Sequence, residues 1–310
     1  MEATKYPTRA EIERAAQVLQ SGGLVAFPTE TVYGLGANAL DAAAVRKIYA
    51  AKGRPSTSPL IVHVASVEMA KTVVAEWPET AARLARKFWP GPLTLVLPKL
   101  PLVPDEVTAG LPTVGVRVPA HPLALALIEA AGVPLAAPSA NLFTHISPTR
   151  AEHVRRGLGK AVEIILDGGA TQIGIESTVL SLVRGHAELL RPGMITRPQI
   201  EEQIGPIALH QPEEGAHSSP GQHPKHYSPA TKLVITTDLP SGRGAYLWWR
   251  TEVPAAVRVR MSADPTLYAK DLYSILHRLD AEGLEYIAVE PLPESAEWAG
   301  IWDRLRRASA

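Results

Sequence analysis

No cysteine occurs among the 310 residues. That excludes a disulfide framework, a thiolate metal site and a cysteine nucleophile. It fits a reducing compartment, so a cytoplasmic protein is expected. Net charge is also missing, because 31 Lys and Arg balance 31 Asp and Glu. A basic coat for nucleic acid is therefore excluded as the default. The balance is local too: residues 1–205 carry 20 basic and 18 acidic side chains, and residues 231–310 carry 10 and 11. Stable nucleic-acid binding is not expected of either part. No run of about 18 apolar residues exists, so no membrane span is expected. The stretch from Met1 to Arg14 is too charged to read as a signal peptide. G-x-x-x-x-G-K-[ST], G-x-S-x-G and G-x-G-x-x-G are all absent, which removes three common nucleotide and hydrolase signatures.

What remains is ordinary globular composition, 46% apolar and 20% charged. The length favours two domains, each long enough for a core. Thr8 and Glu11 form a capping-box pattern ahead of Ile12, Ala15, Ala16 and Leu19 at helical spacing. Asp41 is placed to cap a second helix, and Thr149 with Glu152 repeats the capping box. Helices are also read over Ser66–Ala75, Glu79–Phe88 and Pro122–Ala131. Strands are read over Leu24–Phe27, Leu60–Val64, Leu93–Leu97, Val114–Val118, Leu135–Ala137, Glu163–Leu166, Thr178–Val183 and Glu188–Arg191. Strands and helices alternate, so the fold class is α/β, and the strand-rich end of this part predicts a mixed sheet. Residues 206–230 are rich in proline, glycine and histidine and read as a long irregular linker or lid. The α/β pattern then restarts at residue 231. Strands are expected over Leu233–Thr237, Ala245–Trp249, Val257–Met261 and Tyr286–Val289, with helices from Asp264-Pro265 and from Glu294. The expected division is 1–205, 206–230 and 231–310.

Polar residues gather where strands should end. The run from Pro28 to Gly36 follows a buried strand and reads either as a ligand edge or as a turn with capping threonines. Lys52 and Arg54 flank a glycine, so both heads could converge on one anion, or form a solvated basic loop. Arg117 interrupts an apolar strand, where a charge needs an acidic partner or a ligand. His63 interrupts another strand, and a lone core histidine is more often structural. Pro138–Asn141, Ser147–Thr149, Glu176–Thr178 and Arg191–Gly193 add hydroxyls, amides and a cation at element ends, the last two bracketing a late hairpin. His217, His223 and His226 have chelating spacing but no rigid frame, so no metal site is expected there. Trp248 and Trp249 read as core or interdomain contacts. Unaided, these residues describe an anion-binding α/β enzyme.

Their order also resembles a family. Pro28–Gly36, Lys52–Pro55, Pro59–His63, Pro90–Thr94, Val116–Pro119, Pro138–Asn141, Ser147–Thr149, Ser177–Val179 and Leu190–Gly193 occur in the sequence seen in YrdC-domain proteins. The Ser219–Pro229 segment resembles the interdomain linker of the long, two-domain threonylcarbamoyl-AMP synthases. The likeness covers nearly the whole chain. It implies a YrdC-like twisted mixed sheet with flanking helices, plus a small Rossmann-like α/β C-terminal domain. It implies synthesis of threonylcarbamoyl-AMP and pyrophosphate from L-threonine, bicarbonate and ATP, ahead of the tRNA threonylcarbamoyl transferase complex that forms N6-threonylcarbamoyladenosine at position 37.

By motif position the resemblance sets L-threonine near Thr31, His63, Arg117, the Ala137 backbone and Ser177. It sets ATP near Arg54, Ser58, Thr113, Ser139, Ser147, Arg191 and, from the linker, Tyr227. Lys52 and Arg54 take catalytic positions facing the phosphates, with Mg²⁺ carried on the ATP and no protein metal ligands. Arg117 would meet the threonine carboxylate, and hydroxyls are needed to tell threonine from valine. No general base is assigned. The linker with Lys225, His226 and Tyr227 is expected to close as a lid over a hydrolysable anhydride. The family pattern has glycine where Thr144 stands. Two alternatives are a non-catalytic YrdC-like RNA-binding module and a hydrogenase-maturation carbamoyltransferase, whose cysteine-rich zinc modules this chain lacks.

Overall fold

The computed structural model describes residues 6–210 and 225–310. His217 and His223, and the linker from Ser219 to Pro224, lie outside the described residues. The first part contains strands β1 (Val25–Pro28), β2 (Tyr33–Asn38), β3 (Ile61–His63), β4 (Leu93–Pro98), β5 (Thr113–Arg117), β6 (Leu135–Ala136), β7 (Ile164–Ile165), β8 (Thr178–Ser181), β9 (Glu188–Arg191) and β10 (Ala208–Leu209). They form one sheet in the order β10-β9-β8-β4-β5-β3-β6-β2-β1-β7. Parallel pairs such as β3/β5 and β4/β8 sit beside antiparallel ones such as β1/β2 and β4/β5, so the sheet is mixed. Helices α1 (Arg9–Gln20), α2 (Ala42–Lys52), α3 (Val67–Lys71), α4 (Glu79–Phe88), α5 (Asp105–Thr108), α6 (Pro122–Ala131), α7 (Ala151–Gly157) and α8 (Arg197–Ile204) flank it. One apolar layer joins Leu35, Val62, Leu95 and Val116 to Val45 and Ile48 of α2. Another joins Val25 and Phe27 to Leu19 of α1 and Leu127 of α6.

The local signals explain most of these ends. Thr8 and Glu11 make the reciprocal capping bonds of α1. Asp41 accepts from the Ala43 and Ala44 N–H groups, and Gly53, at φ 61°, ends α2 in the left-handed conformation that glycine adopts without strain. That turn sends Lys52 and Arg54 inward.

The second domain holds β11 (Lys232–Ile235), β12 (Gly244–Trp248), β13 (Val257–Arg260) and β14 (Tyr286–Val289), with helices α9 (Pro265–Asp280) and α10 (Ala299–Ala308). Its sheet is parallel throughout, in the order β11-β14-β12-β13. Leu272 and Leu276 of α9 and Ile301 and Leu305 of α10 cover one face. The same apolar cluster takes in Val32, Ile146 and Ile175 of the first domain, so the two cores meet. The approach is close. A Cβ on Gly174 would lie 2.4 Å from the Ala269 carbonyl oxygen, and one on Gly300 would lie 2.9 Å from the Gly193 Cα.

Several local expectations are corrected. Residues 33–38 form a strand paired with β1, so Pro28–Gly36 is mostly a hairpin rather than a strand end. Glycine hides the alternation: a Cβ on Gly36 would lie 2.7 Å from the Phe27 ring. The Thr149 capping box does not form, because Arg150 is the cap residue of α7 and Thr149 turns its N–H and hydroxyl toward His153 Nδ1. The helix read over Ser66–Ala75 stops at Lys71, after which the Thr72 hydroxyl bonds the Met69 carbonyl. The helix read from Glu294 starts at Ala299, after a tight turn over Ala296–Trp298. Part of the expected irregular linker is a strand, since Ala208 and Leu209 pair with β9.

Candidate functional site

The parallel register of β3 and β5 pairs His63 with Arg117. Both side chains are buried and line a cleft whose other walls come from the β1/β2 turn, the Ala137–Ser139 segment after β6, the start of β8 and the end of β9. Arg117 donates to Glu30 Oε1 at 2.6 Å, to Thr31 Oγ1 at 3.0 Å and to the Gly91 carbonyl at 3.2 Å. These bonds use three of its five N–H donors among the described residues. Glu30 is therefore the partner that a charge inside a strand requires, and its second oxygen accepts the Ala120 N–H at 2.9 Å. Thr29 and Thr31 share a hydroxyl contact of 2.8 Å, which fixes the turn. Burial first, then Arg117, pushes the His63 imidazole down to about 3, so it is neutral near pH 7.

The other end of the cleft is also cationic. Arg54 reaches Ser58 Oγ at 2.6 Å and the Pro59 carbonyl at 3.0 Å. Burial lowers its pKa to about 10. Arg191 donates to the carbonyl and hydroxyl of Ser177 at 3.1 and 3.2 Å, and Thr94 shares a 2.8 Å contact with the same hydroxyl. Glu176 is buried beside them. Burial acts to raise its pKa, but Arg304, Arg191 and Ser147 outweigh that and hold it below the ordinary carboxylate value.

Tyr227 closes the cleft. It is 1% exposed, at φ 61°, between the His226 ring at 4.1 Å and the Tyr273 ring at 6.0 Å. The His226 N–H bonds the Arg307 carbonyl of the second domain at 3.1 Å, and the Ser228 N–H bonds the Thr144 carbonyl of the first at 2.8 Å. With this strap in place the cleft holds about 50 Å³ of free space. Ligand clefts usually hold about 300–1,000 Å³, so this space is smaller than a ligand of nucleotide size needs. Three buried polar atoms on the lining, Arg54 Nε, His63 Nδ1 and the Tyr227 hydroxyl, lack a hydrogen-bond partner among the described residues. Buried polar groups are nearly always paired, so these mark where a polar ligand would bind.

Of the residues singled out in the sequence, Thr31, His63, Arg117, Ala137 and Ser177 lie together on the lining, as do Arg54, Ser139, Arg191 and Tyr227. Ser58 stands behind Arg54, and Ser147 donates to Glu176. Thr113 opens β5 two residues before the Gly115 that pairs with Ile61, away from the Arg117 end. Lys52 and Arg54 do not converge. The Lys52 ammonium donates to the Ser139 and Asn141 carbonyls at 2.5 Å each, because a buried ammonium takes the nearest acceptors. It braces the loop that carries Ser139. Burial, then Arg54, lowers its pKa well below the ordinary lysine value.

A family profile for the Sua5, YciO and YrdC proteins, described as telomere recombination, matches residues 17–193. A profile for the threonylcarbamoyl-AMP synthase C-terminal domain matches residues 195–310. The chain belongs to the Sua5–YciO–YrdC family. Threonylcarbamoyl-AMP synthases from Pyrococcus abyssi and Bacillus subtilis are 42% and 43% identical to it. Each alignment spans 96% of this chain, with 94% and 93% of the relative. The crystal structure of P. abyssi Sua5 complexed with L-threonine superposes with a TM-score of 0.91 at 39% identity, over 98% of this chain and 96% of that one. Escherichia coli YciO, at 26% identity and a TM-score of 0.54, covers 61% of this chain and 92% of its own. The two-domain likeness is thus to Sua5, and the sheet of the first domain is shared more widely in the family.

Sequence reasoning missed Glu30 as a site residue, although it lies inside the Pro28–Gly36 run. It named Glu176 only as a hairpin edge. Tyr273, His277 and Arg304 gave no signal, because on a helix they look like any amphipathic pattern. The fold alone brings them against Glu176 and Ser147.

Proposed function

We propose that this chain is a threonylcarbamoyl-AMP synthase, converting L-threonine, bicarbonate and ATP into threonylcarbamoyl-AMP, pyrophosphate and water. The observation that carries the reading is a cleft with a polar end at Arg117, Thr31 and His63 and a cationic end at Arg54 and Arg191. Arg117 takes the threonine carboxylate with the donors its protein bonds leave over. Thr31, Ser177 and the Ala137 backbone hold the amino acid's other polar groups, and hydroxyl recognition separates threonine from valine. The amine adds to the bicarbonate carbon, a C–O bond breaks and water leaves, giving a carbamate. A carbamate oxygen then attacks the α-phosphorus, the bond from that phosphorus to the bridging oxygen breaks, and pyrophosphate leaves. Positioning and charge neutralisation do most of this work.

Arg54, Ser58, Ser139, Ser147, Arg191 and Tyr227 surround the nucleotide in this reading, with Thr113 at the start of β5. Arg54 meets the phosphates directly. Lys52 contributes positive potential and the shape of the Ser139 loop. Among the described residues no cluster of three or more histidine, aspartate or glutamate side chains exists to hold a metal, and Glu30 and Glu176 are both taken by arginines. In this reading Mg²⁺ enters as part of the ATP substrate, on its phosphates. Tyr227 and its strap open for substrates and close to keep water from the mixed anhydride. The domain limits we adopt are 1–205, 206–230 and 231–310.

The product would pass to the tRNA threonylcarbamoyl transferase complex in the cytoplasm. Among the described residues no helix is long and apolar enough to cross a membrane. Neutral charge in both domains disfavours the alternative of an RNA-binding module. Pyrophosphate release by the purified chain with Mg²⁺, ATP and bicarbonate tests the reading. Release should require L-threonine, and release unaffected by threonine would reject it.

A further inference from the structure

The cleft has two ends, and each is braced by its own buried arginine–carboxylate pair. Arg117 and Glu30, both of the first domain, brace the Thr31 end. The second pair crosses between domains. Arg304 of α10, wholly buried, donates from Nε to Glu176 Oε2 at 2.6 Å and from its second terminal nitrogen to the Glu176 carbonyl at 3.1 Å. Its remaining fork nitrogen reaches the Pro192 carbonyl at 2.9 Å, next to Arg191. The Tyr273 hydroxyl of α9 donates to the same Glu176 oxygen at 3.2 Å. The other carboxylate oxygen accepts from Ser147 Oγ. His277 Nε2, also of α9, lies 3.1 Å from the Ser147 carbonyl oxygen. Three side chains of the second domain thus converge on two residues of the first.

Glue alone is a poor explanation. Buried ion pairs stabilise little compared with apolar packing, and this interface already has apolar packing and a glycine-on-glycine contact. Arg304 instead places its charge where the cleft needs it. Its guanidinium carbon lies 5.2 Å from the Tyr227 ring centroid, within cation–π range. It also neutralises a carboxylate that would otherwise repel phosphate.

We propose that the second domain completes the nucleotide half of the cleft, with Arg304 as a positioning residue that acts through Glu176 on Ser147 and through its ring contact on Tyr227. This rests on the synthase reading above. On the threonine half these contacts reach only the Glu176 carbonyl, next to Ser177, and none touches Thr31, His63 or Arg117, so the nucleotide should respond more strongly than threonine.

The test is steady-state kinetics of the full chain, varying ATP and L-threonine separately, for wild type, Arg304→Met, Arg304→Lys and the double variant Glu176→Gln with Arg304→Met. Arg304→Met should raise the KM for ATP by about tenfold or more while the KM for threonine stays within about twofold. Arg304→Lys should recover part of the loss. The double variant should recover more, because no buried carboxylate is left alone. If Arg304→Met fails to fold, the double variant carries the comparison: ATP weakened against wild type, threonine unchanged. Parallel changes in both KM values, no change in either, or a double variant no better than the single would overturn the inference. If wild type makes no threonylcarbamoyl-AMP, the synthase reading fails. Calorimetric binding of a non-hydrolysable ATP analogue and of L-threonine then decides the inference separately. Selective loss of the nucleotide in Arg304→Met supports it, and parallel loss sinks it.

Discussion

Between pH 7.5 and pH 5 the chain should lose about 2 kcal/mol of stability through His277 alone. The side chain is largely buried at the domain interface, stacked on His153 with ring centroids 3.9 Å apart. Burial, the largest cause, pushes its pKa down from 6.5 to about 4, against the opposing pull of its bond to the Ser147 carbonyl. Asp280 also raises the pKa, and Arg156 and His145 lower it. A depressed folded-state pKa means that the unfolded chain binds the proton more readily. The contribution is therefore whole above the unfolded value of 6.5 and drains away as pH falls through the window down to about 4. At pH 5 the ratio of the two binding polynomials is about 30, which is roughly 2 kcal/mol, whereas at pH 7.5 it is close to one. His277→Gln keeps a donor for the Ser147 carbonyl and removes the titration. Urea unfolding of both proteins at the two pH values isolates the histidine from the carboxylates they share. Wild type should lose about 2 kcal/mol more than the variant on acidification. Equal losses would show that His277 is not held neutral by the interface, and would remove one of the contacts through which the second domain grips Ser147.

Tyr227→Ala should weaken nucleotide binding and shorten the lifetime of the adenylate product, read by calorimetry and by product decay; neither changing would refute the lid. Thr144 is β-branched and sits at φ 67°, a conformation that favours glycine. Thr144→Gly should therefore stabilise the chain by up to about 1 kcal/mol after glycine's own entropic cost, measured by denaturant midpoint, and a loss of stability would contradict the strain. Arg117→Met leaves Glu30 buried without its partner and should cost about 3–5 kcal/mol by urea unfolding, with threonine binding lost; Glu30→Gln in the same chain should return part of the stability but none of the binding. Gly300→Ala would place a Cβ 2.9 Å from the Gly193 backbone, so α10 must shift; ATP affinity should fall more than threonine affinity by calorimetry, and equal effects would argue against a nucleotide-side role for that contact.

What could be read from the sequence followed from where the information is stored. Helices with side-chain caps were legible because Thr8, Asp41 and Asp264 carry the hydrogen bond that starts them. Strands were legible from apolar runs such as Leu93–Leu97, the mixed sheet from the strand-rich end of the first part, and the second domain from the renewed strand–helix alternation. The β1/β2 hairpin was not, because Gly34 and Gly36 alternate with the apolar Tyr33, Leu35 and Ala37 and leave no side-chain signal on the face where Gly36 packs against Phe27. Thr149 misled for a related reason: a capping pattern promises a bond that a nearby histidine can claim. At the site, Arg117 stood out as a charge in an apolar strand that needs a partner or a ligand, but nothing in the sequence pointed to Glu30 as that partner. Lys52 misled because spacing along the chain says nothing about which carbonyls a buried ammonium will find. Arg304 was invisible. Its helix reads as a charged surface, and only the docking of α10 against Gly193 buries it.

The measurement that bears most directly on the central claim is mass spectrometry of the nucleotide product from ATP, L-threonine and ¹³C-bicarbonate. The account predicts an AMP adduct that contains threonine and carries the label, formed together with pyrophosphate. A labelled adduct without threonine, or a threonyl adenylate without the label, would contradict it, because the cleft would then be joining different partners.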